Sequence, residues 1–166
     1  AAGLAQELAE LLPALAVGGS EGDADHTRHS NTGIVIRMVE LKTPGEIDAI
    51  AAAGDVVGAV LTAVGEHAAP GVTPDELDML AAEQIAAHGA KATFLHYHPQ
   101  FAPSPYPAVT CISVNDAVVH GIPDGVPLAD GDILSVDLAV HVDGWCADAA
   151  FSMIVGKERS PRDRVL

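Results

Sequence analysis

The sequence predicts an α+β fold in which two helices pack on one face of an antiparallel sheet. Two capping boxes, at residues 43–46 and 73–76, each open a stretch with the apolar spacing of a helix. Short apolar runs typical of strands follow after residue 89. The last runs alternate on both sides of Asp143-Gly144, a dipeptide that favours a two-residue hairpin turn. Helices followed by antiparallel strands are typical of α+β domains.

Residues 1–37 are predicted to form an extension or linker outside this fold. Leucines at helical spacing predict a short amphipathic helix that Pro13 interrupts. Residues 18–33 are rich in Gly, Ser, Asp and His, which is the composition of a disordered linker. His26 and His29 could bind a metal ion weakly, but a solvated linker is favoured because nothing there fixes ligand geometry. The folded part is expected to span residues 38–166.

The two capping boxes set the starts of the predicted helices. In Thr43-Pro44-Gly45-Glu46, the threonine and the glutamate can each satisfy a backbone donor, and proline suits the first helical position. This helix is expected to run through Val64 and to end before Pro70. Thr73-Pro74-Asp75-Glu76 opens the second helix, which is expected to end at Gly89.

Strands are predicted over residues 108–114 and 117–120, and a two-stranded hairpin is predicted over residues 133–155. Turns are predicted at Asn115-Asp116 and at Asp143-Gly144. The proline-rich segment 96–107 is predicted to be a loop, because its prolines cannot donate backbone hydrogen bonds.

Asp137 and Asp148 carry the chemistry that the hairpin predicts. If Val142 faces Trp145, then Asp137 lies opposite Ala150 and Asp148 lies opposite Ala139. Both carboxylates then share one face as diagonal neighbours, roughly 7–8 Å apart at the backbone. Converging carboxylates repel each other unless a cation, a shared proton or a wide exposed face relieves them. Because the sequence around Asp137 is apolar, a bound partner is favoured over simple exposure.

Composition restricts the class of partner. The 166 residues suffice for one domain, and 23 acidic residues against 8 Lys and Arg give a net charge of −15. This charge argues against nucleic acid or an anionic membrane and suits a cation or a neutral peptide. Cys111 and Cys146 form no disulfide framework, and the sequence suggests no secretory signal or membrane span. A reducing, cytoplasmic location is predicted.

A family resemblance follows from His120 and the two aspartates taken in order. Val119-His120-Gly121-Ile122-Pro123 is followed by Asp137 and then by Asp148. Together with Lys42-Thr43-Pro44-Gly45-Glu46-Ile47 and Ser113-Val114-Asn115-Asp116, this order resembles bacterial type I methionine aminopeptidases, which are pita-bread fold metallopeptidases. The resemblance covers residues 38 to about 157. It implies the first half of a pita-bread fold and the amino-terminal half of a catalytic domain.

The resemblance implies a cytosolic enzyme that removes the N-terminal methionine of newly made proteins, close to the ribosome. Asp137 would chelate one divalent metal ion and Asp148 would bridge two, with Co, Mn, Fe and Zn as candidates. A hydroxide bridging the metals would attack the peptide carbonyl. His120 would bind the substrate around the scissile bond and help to stabilise the tetrahedral intermediate. The methionine pocket would be lined by Phe94, Tyr97, His98, Tyr106 and Cys111.

The sequence departs from the family pattern in three respects. About six extra residues, between Pro99 and Pro105, could reshape the mouth of the pocket. Ala147 and Ala149 stand where the family generally has glycine and a hydroxyl residue, so a hydrogen bond that orients Asp148 is expected to be lost. The family's other ligands, His and Glu, belong to a second half that would follow Leu166. The 166-residue chain is therefore expected to be inactive and marginally folded.

Two alternative functions stay open. Some pita-bread proteins are non-catalytic binding modules, although such a module has no need of paired carboxylates. Proline-cleaving peptidases of the same fold share the two aspartates. The segments 42–47 and 119–123 are nevertheless more similar to those of the methionine enzymes.

Overall fold

A computed structural model describes residues 40–157 of the chain. Its elements, in chain order, are α1 (Pro44–His67), α2 (Pro74–Ala87), β1 (Lys91–Ala92), β2 (Cys111–Val114), β3 (Ile133–Val142) and β4 (Trp145–Ile154). All strand pairs are antiparallel, with β4 along one edge of β3 and both β1 and β2 along the other. The predicted α+β fold is confirmed. The short helix and linker predicted for residues 1–37 fall outside the described residues.

Both helices begin at the predicted capping boxes. Glu46 N donates to Thr43 Oγ1 at 3.3 Å, and Thr43 N donates to Glu46 Oε2 at 2.7 Å. Thr73 and Glu76 repeat this arrangement at 3.2 Å and 2.8 Å. Each box satisfies two backbone donors that a helix start leaves unpaired, which fixes where α1 and α2 begin.

The core lies between the helices and one face of the sheet. Alternate residues of β3 point to this face and are fully buried, namely Leu134, Val136, Leu138 and Val140. Most buried residues of α1 belong to the same cluster, namely Ala53, Val57, Val60, Leu61 and Val64. α1 has 24 residues and contains an 18-residue stretch with a mean hydropathy of 1.8, enough to span a membrane by length and composition alone. Its packing against the sheet explains this apolar character as that of a core helix.

One predicted strand, over residues 117–120, is wrong. No strand forms there, and the side chains of Val118 and Val119 are 85% and 67% exposed. Asn115 and His120 both adopt positive φ, which takes the chain out of the extended conformation at each end of this segment.

The strands on the other edge of β3 also differ from the prediction. β2 begins at Cys111 rather than at Ala108, because the amides of Val109 and Thr110 donate to the carboxylate of Asp78 on α2 instead of to a strand. β1 has only two residues, which is too short for an alternation pattern to predict it.

Candidate metal centre

Asp137 and Asp148 lie on the β3–β4 hairpin in the predicted register. Asp137 pairs with Ala150, and Asp148 pairs with Ala139. Because Asp137 alternates with fully buried residues of β3, its side chain projects from the sheet face opposite the helices. The two acidic residues are therefore diagonal neighbours on one face, which we call the aspartate face, and the predicted hairpin is confirmed.

The aspartate face disfavours charge on its own carboxyl groups. Burial, followed by the nearby charge of Asp148, raises the pKa of Asp137 to about 6. Partial burial also raises the pKa of Asp148. The charge of His120 opposes these influences and lowers the pKa of Asp137, so the imidazole lies within electrostatic range of this carboxyl. The charged carboxylate of Asp137 therefore lacks solvation that would stabilise it, whereas Asp148 is more exposed.

One carboxylate oxygen of Asp137 has no hydrogen-bond partner. Among residues 40–157, Oδ1 of Asp137 is one of two buried side-chain polar atoms without a partner. A divalent cation would satisfy this oxygen and offset the repulsion from Asp148, so the two residues fit a metal site. No cluster of three His, Cys, Asp or Glu side chains occurs within the same range. Further ligands would therefore come from solvent or from residues outside it.

Gly121, the residue that follows His120, is held against β2. Gly121 N donates to Ser113 Oγ at 3.1 Å, and Gly121 O accepts from Ile112 N at 2.9 Å. A Cβ at residue 121 would collide with the carbonyl of Ile112, so this close approach to β2 requires glycine. We call these contacts of Gly121 with Ser113 and Ile112 the Gly121 clamp. His120, which directly precedes it, has a positive φ of 57°. The glycine in the sequence motif therefore positions the histidine before it.

Tyr106 adds a third hydrogen bond to this clamp. Its hydroxyl donates to Gly121 O at 2.9 Å and lies 3.0 Å from Thr110 O. Burial raises the pKa of Tyr106 above its ordinary value, so the hydroxyl stays protonated and acts as a donor. Tyr106 was predicted to line the methionine pocket, and its hydroxyl has this additional structural role.

Three of the predicted pocket residues come together beside Asp137. The rings of Phe94 and Tyr106 meet edge to face with centroids 6.5 Å apart. Cys111 pairs with Asp137 across β2 and β3, and burial raises the pKa of its thiol. A largely apolar wall thus adjoins the carboxylates.

The other two predicted pocket residues lie just before the segment between Pro99 and Pro105. Tyr97 is 63% exposed, and its backbone pairs with that of Tyr106, which closes the loop at its base. His98 is exposed, and its Nε2 lies 3.1 Å from the carbonyl oxygen of Ala102 within the same loop. Contacts within the loop of residues 96–106 hold both residues.

Ala147 and Ala149 do not face the aspartates. They pair with Val140 and Leu138, and they point to the core side of the sheet. A hydroxyl at residue 149 would therefore face the helices. The expectation that its absence loosens Asp148 is wrong for this register.

Several residues that support the site were not predicted. Asp78 accepts hydrogen bonds from the segment that leads into β2, and Ser113 accepts from Gly121. Cys146 Sγ lies 2.8 Å from His141 Nδ1, and this pair crosses the hairpin two residues away from Asp148. The predicted hairpin register, continued toward the turn, places Cys146 opposite His141 and so could have predicted this contact. The sequence carries no signal for the contacts of Asp78, because they join residues 31 and 32 positions apart.

This arrangement is similar to that of known proteins. The model of metallopeptidase family M24 matches residues 48–166. A methionine aminopeptidase of Aquifex aeolicus is 39% identical over 129 residues, covering 77% of this chain and 50% of that protein. Methionine aminopeptidase 1 of Mycobacterium tuberculosis is 46% identical over 121 residues, covering 72% of this chain and 43% of that protein.

A solved structure shows the same similarity in three dimensions. Methionine aminopeptidase from Thermotoga maritima superposes with a TM-score of 0.69 at 35% sequence identity. The match covers 78% of this chain and 49% of that one. The chain thus spans about half the length of the relatives that it matches.

Proposed function

The chain belongs to metallopeptidase family M24, and from this membership we propose that it acts as a metal-dependent aminopeptidase that removes N-terminal methionine. Its substrates would be methionine-initiated peptides and newly made proteins, in the cytoplasm and close to the ribosome. The names of its relatives support this proposal. Family membership and the likeness to the T. maritima structure confirm the predicted pita-bread fold.

The observation that carries the proposal is the half-buried carboxyl of Asp137, with Asp148 diagonal to it on the same face and His120 within electrostatic range. Asp137 and Asp148 would both contribute carboxylate ligands to a site for two divalent metal ions. A cation stabilises the charged form of both carboxyls, whose raised pKa values show that the face alone disfavours it. Bound divalent ions supply a nucleophile from water at neutral pH and polarise the peptide carbonyl.

The remaining residues of the site would bind and orient the substrate. His120, held by the Gly121 clamp, would donate a hydrogen bond to the peptide on the open side of the carboxylates. Phe94, Tyr106 and Cys111 form an apolar wall of the kind that suits the methionine side chain. Tyr97 and His98 would contact the substrate only near the rim.

Peptide cleavage by the intact protein tests this proposal. With added Mn²⁺ or Co²⁺, we expect release of methionine from Met-Ala-Ser and no cleavage of Ala-Pro-Ser. Asp137→Asn should lower kcat/KM by two orders of magnitude or more, because it replaces a charged ligand, with losses of 10–100-fold typical even for groups behind the ligands. Asp143→Asn is the matched control, since Asp143 lies in the turn of the same hairpin.

The outcomes separate the alternatives. Cleavage of Ala-Pro-Ser in place of Met-Ala-Ser would identify a proline-type peptidase. Metal uptake without cleavage of either peptide would favour a binding module. Equal activity of the Asp137→Asn and Asp143→Asn proteins would overturn the role of the carboxylate pair.

A further inference from the structure

Thr93 lies on the aspartate face, one residue beyond β1. β1 pairs Lys91 with His141 and Ala92 with Val140. The same register continues because Thr93 N donates to Ala139 O at 3.0 Å, which places Thr93 opposite Ala139. Residues that face each other across antiparallel strands project to the same side of the sheet.

Thr93 and Asp148 therefore flank Ala139 from opposite sides. Ala139 pairs with Thr93 through one edge of β3 and with Asp148 through the other. Asp137, two residues along β3, projects from the same face. Thr93, Asp137 and Asp148 therefore surround Ala139 on one face of the sheet, and the side chain between them is only a methyl group.

The hydroxyl of Thr93 has no hydrogen-bond partner. In the part of the chain that the structure describes, Thr93 Oγ1 and Asp137 Oδ1 are the two buried side-chain polar atoms left without one. One is a hydroxyl donor and the other a carboxylate acceptor, and both lie beside Ala139. Buried polar groups are rarely left unpaired, so two neighbouring cases indicate a missing polar partner.

Other threonines of the fold show that this lack of a partner is specific to the site. Thr110 Oγ1 donates to Asp78 Oδ1 at 2.6 Å. Thr62 Oγ1 donates to the carbonyl oxygen of Gly58 within α1 at 2.8 Å. These hydroxyls are satisfied by the fold itself, whereas that of Thr93 is not.

We propose that Thr93 is a positioning residue of the metal site, whose hydroxyl donates a hydrogen bond to an oxygen atom that coordinates the metal ions. This inference rests on the proposed function. This hydrogen bond would fix the orientation of an oxygen ligand of the metal. Its donor would follow β1, whereas Asp137 and Asp148 lie on β3 and β4.

Metal affinity, measured apart from catalysis, tests this role. The intact protein is titrated with Mn²⁺ by calorimetry, and the metal-free proteins are compared by thermal unfolding. Thr93→Val removes the hydroxyl but keeps the branched shape, and it should weaken Mn²⁺ binding about 10-fold or more. The melting temperature of the metal-free Val variant should stay equal or rise, because an unpaired buried hydroxyl has been removed.

Two controls make the result specific. Thr93→Ser retains the hydroxyl, so its Mn²⁺ affinity should stay within about twofold of wild type. This change is much smaller than the one expected when the hydrogen bond from residue 93 is lost. Thr62→Val removes a satisfied hydroxyl far from the site and should leave Mn²⁺ affinity unchanged. If the Thr93→Val protein does not fold, Thr93→Ala replaces it in the same comparison with Thr93→Ser.

Each outcome decides between two statements. Wild-type affinity in the variants that lack the hydroxyl, with Mn²⁺ bound normally by wild type, would overturn the role of Thr93 and leave the proposed function intact. Loss of affinity in Thr93→Ser as well would assign the effect to shape and would also overturn it. Failure of wild type to bind Mn²⁺ would overturn the proposed function and this inference together.

Discussion

The two faces of the β3–β4 hairpin differ in what they contribute to the protein. On the helix side, Leu134, Val136, Leu138 and Val140 are completely buried and apolar. On the other side, Asp137 has an unpaired oxygen and a raised pKa. Successive residues of one strand thus have different roles. One face stabilises the fold, and the other carries charges that the fold alone does not stabilise. Substitutions on the two faces should change stability in opposite directions.

The largest effect is expected on the helix side. Leu138→Ala removes a side chain that is fully buried between β3 and the helices, and it should lower the free energy of unfolding by about 2–5 kcal/mol. Urea denaturation followed by circular dichroism measures the change. Leu138→Met conserves the volume and should cost less than about 1.5 kcal/mol. A loss below that limit for the alanine variant would show that this face is not the core.

A smaller loss is expected where α2 supports the aspartate face. Asp78 accepts hydrogen bonds from Val109 N at 3.1 Å, Thr110 N at 2.8 Å and Thr110 Oγ1 at 2.6 Å. Asp78→Ala leaves these donors unpaired and should lower the free energy of unfolding by about 1–3 kcal/mol. The exposed Asp55→Ala on α1 is the control and should stay within about 0.5 kcal/mol. Equal values for the two variants in urea denaturation would contradict this support.

An effect of opposite sign is expected at Asp137. Because its folded pKa, about 6, exceeds the ordinary value of about 4, the folded state binds the proton more tightly than the unfolded state. This contribution to stability is fully present below about pH 4 and is lost as the pH rises through about 6. Asp137→Asn should therefore raise the melting temperature of the metal-free protein at pH 7.

Melting temperatures measured at a lower pH are the control for Asp137→Asn. At pH 4 the difference between Asp137→Asn and wild type should shrink, because the wild-type carboxyl is then protonated as well. A melting temperature at pH 7 that falls in the variant would mean that Asp137 stabilises the fold, and that the two faces do not differ as described.

The sequence predicts the parts of the site that depend on local rules. The turn at Asp143-Gly144 and the alternation around it set the hairpin register, and the register alone places Asp137 and Asp148 on one face. The capping boxes likewise predict where α1 and α2 begin.

The rest depends on contacts between distant segments. Residues 117–120 have the composition of a strand, yet they pair with none, because the chain turns at Asn115 and His120 and Gly121 docks on Ile112 instead. Thr93 reaches the aspartate face only through its pairing with Ala139, and no local pattern marks a two-residue strand. Propensity and periodicity describe neighbours in sequence, and these placements are decided by partners elsewhere in the fold.

Titration of the metal-free intact protein with Mn²⁺, by calorimetry at pH 7 and at pH 5, tests most directly whether Asp137 and Asp148 share a cation. We predict stoichiometric binding at pH 7 and weaker binding at pH 5, because protons compete for a carboxyl whose pKa is about 6. Asp137→Asn should abolish this binding, and Asp143→Asn should leave it unchanged. Equal Mn²⁺ binding by wild type and Asp137→Asn would contradict the account.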